Sequence, residues 1–144
     1  MKKKSVFVAG NFNILHPGHL RLLRFASQLG DKLYVGVFSD SIAGIHSHVP
    51  ESVRLECIRS NSWVTKAFIV NESVEKVIEK LRPDIVVKGK EHQNLINSEK
   101  VILEKYGGRL VFSSGEIAFS SLDLIRKIVD EPDNRLSKLP GLFI

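Results

Sequence analysis

The chain has 144 residues, 43% of them hydrophobic and 26% charged, with a net charge of +5, a balance that fits one globular domain with a substantial core. Its longest apolar runs, such as Ile85-Val86-Val87, are far too short to cross a bilayer, and Met1-Lys2-Lys3-Lys4 leads into a strand without a signal peptide's apolar region. The single cysteine, Cys57, rules out an intramolecular disulfide framework, so a cytoplasmic chain with Cys57 as a buried core thiol is expected. The positive charge suits a protein that handles anions. Lys2-Lys3-Lys4 is the only basic run, and no basic and aromatic alternation follows it, so neither nucleic acid nor membrane is expected as a partner.

In chain order, short β-rich runs alternate with segments of helical period. Residues 5 to 9, 32 to 38, 66 to 70, 84 to 88 and 109 to 113 read as strands, nearly continuous in apolar or β-branched residues as strands covered on both faces should be. Leu22, Phe25, Ala26 and Leu29 give the i, i+3, i+4, i+7 face of a first helix, and Val74, Val77, Ile78 and Leu81 repeat that spacing. Gly30 and Gly107-Gly108 are expected to stop helices. Residues 51 to 61 look helical, Ser98 is placed to cap a helix ending near Tyr106, and Leu122, Ile125 and Val129 mark a last one. The alternation predicts an α/β fold, a doubly wound, Rossmann-like five-stranded parallel sheet with helices on both faces. Residues 1–130 form the domain, and 131–144 are a tail or the start of a linker; Leu142-Phe143-Ile144 would then pack on the domain or a partner, or mark a cut in a longer chain.

His16-Pro17-Gly18-His19 carries the most chemical information. It follows the first strand and opens the first helix, where unpaired N–H groups and the helix dipole favour anions. Gly18 lets a ligand approach the backbone, and imidazole donors suit developing negative charge. In a doubly wound sheet, ligands sit beyond the carboxyl ends of the strands where strand order reverses, so the loop from Gly10-Asn11-Phe12-Asn13 to His19 is expected to face Lys88-Gly89-Lys90. Each feature has a structural competitor: helix capping for the histidines and for Ser120-Ser121, a strand end for Lys88-Gly89, and a solvated or paired surface charge for Lys90 and Arg54. His46 and His48 read as an exposed loop. No third ligand at diagnostic spacing makes His16 and His19 a zinc site.

The run from Gly10 to His19 resembles the G-x-F-D-x-x-H-x-G-H signature of the cytidylyltransferase-like nucleotidyltransferases. Further segments match in order: Leu29-Gly30-Asp31, Ser39-Asp40, Arg54, Arg82-Pro83-Asp84, Val86-Val87-Lys88-Gly89, Gly107-Gly108 and Ser120-Ser121. The resemblance covers about residues 5 to 128 and is most similar to the heptose-phosphate adenylyltransferase domain of ADP-heptose synthase, with glycerol-3-phosphate cytidylyltransferase next. It implies transfer of a nucleoside monophosphate from ATP or CTP to a sugar or polyol phosphate, with Mg2+ on the phosphates and pyrophosphate released. By resemblance, His16 and His19 are catalytic. Gly10, Asn11, Phe12, Gly18, Lys88, Gly89, Ser120 and Ser121 bind nucleotide, and Asn13, Lys90 and Arg54 bind the acceptor. A homodimer is implied, and the bifunctional relatives join such a domain to a sugar kinase.

Departures from the signature keep alternatives open. Asn13 replaces the usual aspartate, residues 41 to 50 lack a phosphate-binding lysine, and Ser120-Ser121-Leu122 stands for Ser-Thr-Thr. Gly115, where cytidylyl enzymes often carry arginine, favours ATP over CTP. The competing readings are an enzyme like FAD synthetase or pantetheine-phosphate adenylyltransferase, and a nucleotide-binding module with little catalysis. Class I aminoacyl-tRNA synthetases share a similar histidine motif, but the chain is too short for their tRNA-binding parts, and Leu136-Ser137-Lys138-Leu139 fits their lysine loop poorly.

Overall fold

A computed structural model of the chain describes residues 3–13, 17–44, 48–93 and 95–113. Strands β1 (Ser5–Gly10), β2 (Lys32–Phe38), β3 (Lys66–Val70), β4 (Ile85–Lys88) and β5 (Arg109–Phe112) form one sheet in the order β3-β2-β1-β4-β5. Every pairing is parallel. Between the strands lie α1 (Pro17–Ser27), α2 (Asp40–Ala43), α3 (Glu51–Arg59), α4 (Val74–Leu81) and α5 (Glu99–Glu104), with a 3-10 turn over Lys90–His92. The architecture is the expected Rossmann-like sheet. The expected last helix and the tail lie outside the described residues.

Alternation along each strand sorts side chains into two layers. Val6 and Val8 of β1, Leu33, Val35 and Val37 of β2 and Ile85 and Val87 of β4 pack with Leu23 and Ala26 of α1 and Ile58 of α3. Phe7, Val70 and Val86 point the other way, against Val77 and Ile78 of α4 and Leu103 of α5. Because both faces are covered, the strands show no polar alternation, which is why they read as continuous apolar runs.

The amino-terminal edge is pinned by carboxylates. Asp31 Oδ2 accepts the Lys4 N–H at 2.8 Å, and Asp84 Oδ2 accepts the Ser5 N–H at 2.8 Å. Two of the matching segments, Leu29-Gly30-Asp31 and Arg82-Pro83-Asp84, therefore hold the bottom of β1 in place.

Several local expectations change. The first helix ends at Ser27, and Gly30 answers to packing rather than to a helix stop: a Cβ there would lie 2.8 Å from the Lys4 carbonyl oxygen and 2.8 Å from Val6 Cγ2. Gly107 does take a left-handed φ of 85° after α5, and the Gly108 N–H returns to the Leu103 carbonyl at 2.8 Å. Ser98 stands at the N-cap position of α5 as expected, but its side chain makes no capping hydrogen bond. Its hydroxyl instead donates to Glu75 Oε1 across to α4. Cys57 is exposed, because α3 turns Arg54, Leu55 and Ile58 inward and leaves the preceding position on the solvent side. Among the described residues no helix is long and apolar enough to cross a membrane.

Gly30→Ala would drive a methyl into backbone that cannot move aside without displacing β1. It is expected to destabilise the fold by about 1–3 kcal/mol. A urea denaturation midpoint equal to that of the parent protein would contradict this packing role.

Candidate nucleotide site at the strand-order reversal

The chain leaves β1 toward β2 on one side and reaches β4 on the other, so the connections after β1 and β4 diverge. Their separation is visible in the register. β1 pairs with β2 from Ser5↔Lys32 to Gly10↔Val37, but with β4 only at Val6↔Ile85 and Phe7↔Val86. Beyond Phe7 a crevice opens above Ala9, Gly10, Val87 and Lys88, as the switch-point rule requires.

The crevice has two lobes. One, of about 200 Å³, lies on the α1 side and is lined by Gly10, Asn11, Phe12, His19, Lys88, Gly89 and His92 among others. The second, of about 350 Å³, lies on the α4 and α5 side, where Phe7, Phe38, Val74 and Val86 make an apolar wall beside Lys88 and Glu99. Asn11, Lys88 and His92 line both lobes and so mark the seam between them.

The residues just after β1 pack closely against α1. Phe12 is 5% exposed and has a φ of 53°, a left-handed conformation uncommon outside glycine and costly for a bulky side chain. Its ring meets that of His19 edge-on at 5.6 Å between centroids. A Cβ on Gly10 would come within 3.1 Å of the same ring, so the glycine gives Phe12 room to turn in beside His19.

Arg54 secures the loops from behind. It is 1% exposed, and its guanidinium donates from Nη1 to the Asn11 carbonyl at 2.7 Å, from Nε to the Val49 carbonyl at 2.8 Å and from Nη2 to Asp40 Oδ1 at 2.8 Å. The surface-charge reading of Arg54 is thereby overturned: one buried fork ties together the segments after β1, after β2 and before α3. Asp40 itself opens α2, whose cap is Ser39; that hydroxyl accepts the Ile42 N–H and donates to Asn71 Oδ1.

On the opposite wall Lys88 donates to Asn97 Oδ1 at 2.7 Å and to Glu99 Oε1 at 3.1 Å. The Asn97 amide nitrogen donates in turn to the His92 carbonyl at 2.9 Å, so one asparagine fixes both the lysine and the turn that carries His92. Glu75, facing the same group, has its carboxyl held below the ordinary range chiefly by the Ser98 hydroxyl, with Lys88 adding to the effect.

Of the residues expected at the site, Gly10, Asn11, Phe12, His19, Lys88 and Gly89 are brought together around the crevice. Gly18 lies half-buried in the first turn of α1. Asn13 is half-buried and its Oδ1 accepts the His48 N–H at 3.3 Å, tying the loop to an exposed His48. Lys90 does not line either lobe: it sits exposed on the 3-10 turn, with its N–H donated to Ser113 Oγ at 3.1 Å. Arg54 likewise points into loop backbone rather than lining the crevice. His16, His46, Gly115, Ser120 and Ser121 lie outside the described residues. His92 and Glu99 were not singled out from the sequence. The switch-point rule applied to every polar residue after β4 would have found His92, whereas no sequence pattern announces a carboxylate buried against Lys88.

Two outcomes follow from this geometry. Arg54→Lys cannot satisfy three separated acceptors with one ammonium, so it is expected to cost about 3 kcal/mol or more in urea unfolding; a loss below 1 kcal/mol would contradict the anchoring role. Ser98→Ala should raise the Glu75 titration midpoint toward the ordinary carboxylate value when followed by NMR. Because the folded value is depressed, the stabilisation is present above the ordinary value and lost as pH falls through the folded one. An unchanged midpoint would show that Ser98 does not hold the carboxylate.

Residues 7–113 match the Cytidylyltransferase-like family. The chain is 35% identical over 149 residues to the FAD synthase of Aciduliprofundum boonei, covering 92% of this chain and 95% of that protein. It is 32% identical over 134 residues to the Bifunctional protein HldE of Syntrophotalea carbinolica, covering 89% of this chain but only 27% of that protein, so the chain spans about a quarter of that relative's length. Among solved structures, the lipopolysaccharide core biosynthesis protein from Thermoplasma volcanium superposes with a TM-score of 0.68 at 28% identity, over 78% of this chain and 98% of the other. The switch-point crevice, the matched span and the near full-length likeness agree: the chain belongs to the cytidylyltransferase-like family of nucleotidyltransferases.

Proposed function

We propose that this chain transfers AMP from ATP to a sugar or polyol phosphate and releases pyrophosphate. The observation that carries the reading is the two-lobed crevice with His19 on one wall and Lys88 on the other. One lobe takes the triphosphate, the other the acceptor, and the reacting phosphates meet at the seam. AMP is preferred over CMP because of the likeness to FAD synthases, whose named product contains an adenylyl group.

The acceptor phosphate is already an anionic nucleophile, so the reaction needs no strong base. One acceptor oxygen bonds to the α-phosphorus while the bond to the bridging α–β oxygen breaks, and the electron pair leaves with pyrophosphate. Catalysis is then positioning plus stabilisation of charge on the α-phosphoryl oxygens. In this reading His19, with His16, donates to the triphosphate, Gly18 allows close approach at the start of α1, and the hydroxyls of Ser120 and Ser121 add donors. Lys88, steadied by Asn97 and Glu99, directs its charge to the acceptor. A divalent ion such as Mg2+, carried on ATP, would supply positive charge to the phosphates. Among the described residues no three His, Cys, Asp or Glu side chains cluster.

A second acceptor is favoured by one observation: the wall of Phe7, Phe38, Val74 and Val86 offers apolar surface suited to the ring system of FMN. The test is a panel of ATP and CTP against sugar phosphates, polyol phosphates and FMN, read by pyrophosphate release. Release with ATP and a sugar or polyol phosphate is the expected result, release with FMN alone selects the second reading, and release from no pair overturns both. In the active pair, His19→Ala should lower kcat on the order of a hundredfold, the usual cost of losing one preorganised donor, while the circular-dichroism spectrum is retained. Full activity in that variant would contradict the site.

A further inference from the structure

Among the described residues, one buried side-chain polar atom lacks a hydrogen-bond partner: Asn11 Oδ1. Asn11 is one of the residues that line both lobes of the crevice. An unpaired buried acceptor costs about 1–3 kcal/mol, a penalty that native structures seldom carry without a reason. The surroundings make the position firm. The Asn11 carbonyl is held by Arg54 Nη1 at 2.7 Å, and the next residue, Phe12, is buried in a left-handed conformation.

The chemistry of this atom restricts what can meet it. A carbonyl oxygen only accepts, and phosphate oxygens of a bound nucleotide are themselves acceptors at neutral pH, so phosphate against Asn11 Oδ1 would be repelled. Adjacent groups divide the labour: Lys88 and His92 border the same seam and can serve phosphate, while Asn11 Oδ1 requires an O–H or N–H. The donors nearest a phosphate in the proposed substrates are hydroxyls of the carbon skeleton that bears it, the ribose of ATP or the polyol chain of the acceptor.

We propose that Asn11 is a specificity-determining residue whose Oδ1 accepts a hydrogen bond from a substrate hydroxyl close to the reacting phosphates. This rests on the proposed nucleotide transfer and deepens it: the site selects hydroxylated skeletons and discriminates against deoxy analogues. A site built to pair a hydroxyl rejects the analogue lacking it, because its buried polar atom is left unsatisfied.

The experiment measures calorimetric binding to the full chain in two arms. One compares ATP with 2′-deoxyATP and 3′-deoxyATP, and the other compares glycerol 3-phosphate with 3-hydroxypropyl phosphate, which lacks the central hydroxyl. The parent protein should prefer the hydroxylated compound by about tenfold or more in at least one arm, and that arm identifies the source of the hydroxyl. Asn11→Leu, similar in size and without polar atoms, should abolish the preference. Asn11→Asp should keep it even if repulsion weakens binding of every phosphate, since its carboxylate still accepts. Equal affinities in both arms for the parent protein overturn the proposal whether or not Asn11→Leu folds, as does a preference that survives Asn11→Leu or disappears in Asn11→Asp. Binding is read separately from turnover, so failure of the acceptor panel would defeat the proposed reaction while these affinity ratios still decide the role of Asn11.

Discussion

The site depends on the reversal of strand order at β1. Once the chain has crossed from β1 to β2 and β3 and returned to β4 on the other side, the two connections at the carboxyl ends of β1 and β4 leave in opposite directions. Pairing between these strands stops at Phe7↔Val86, and the remaining residues of both strands become crevice wall. Helix α1 covers one side, α4 and α5 the other, so the crevice has two unlike lobes from the outset. A group-transfer enzyme needs two adjoining compartments with a shared boundary, and this topology supplies them before any catalytic side chain is chosen.

The boundary is kept in place by charges used as struts. Arg54 is buried to 1% exposure, at a desolvation cost that an apolar residue would avoid. What it provides in return is geometry, since three N–H groups fix two carbonyls and a carboxylate from different loops. Lys88 is similarly directed by Asn97 and Glu99. The two walls thus carry independent supports, and the strained Phe12 is tolerated because its surroundings determine its position. The opposite end of the sheet uses Asp31 and Asp84 to tie the amino end of β1.

Much of this was legible in the sequence because it depends on patterns with a period. Continuous apolar runs placed all five strands within a residue or so of their observed ends, and the 3.6-residue spacing placed α1 and α4. What was not legible depends on three-dimensional neighbours. Gly30 looked like a helix stop because its partner in contact, the Lys4 carbonyl, lies far away in sequence. Arg54 reads as an acceptor-binding residue by resemblance and as a surface charge by residue type, because nothing local reveals that the Asn11 and Val49 carbonyls and the Asp40 carboxylate converge on it. Helix α2 has four residues, too few to show a period. At the candidate site, the Gly10–His19 segment stands out by spacing, while Glu99 acquires meaning only when the start of α5 folds against Lys88.

The most direct test of the account is a crystal structure with a non-hydrolysable ATP analogue bound. The account predicts the triphosphate above the carboxyl ends of β1 and β4, reaching from the start of α1 at His19 toward the seam bordered by Asn11, Lys88 and His92. A triphosphate bound elsewhere, for example along the amino-terminal edge near Asp31 and Asp84, would contradict it.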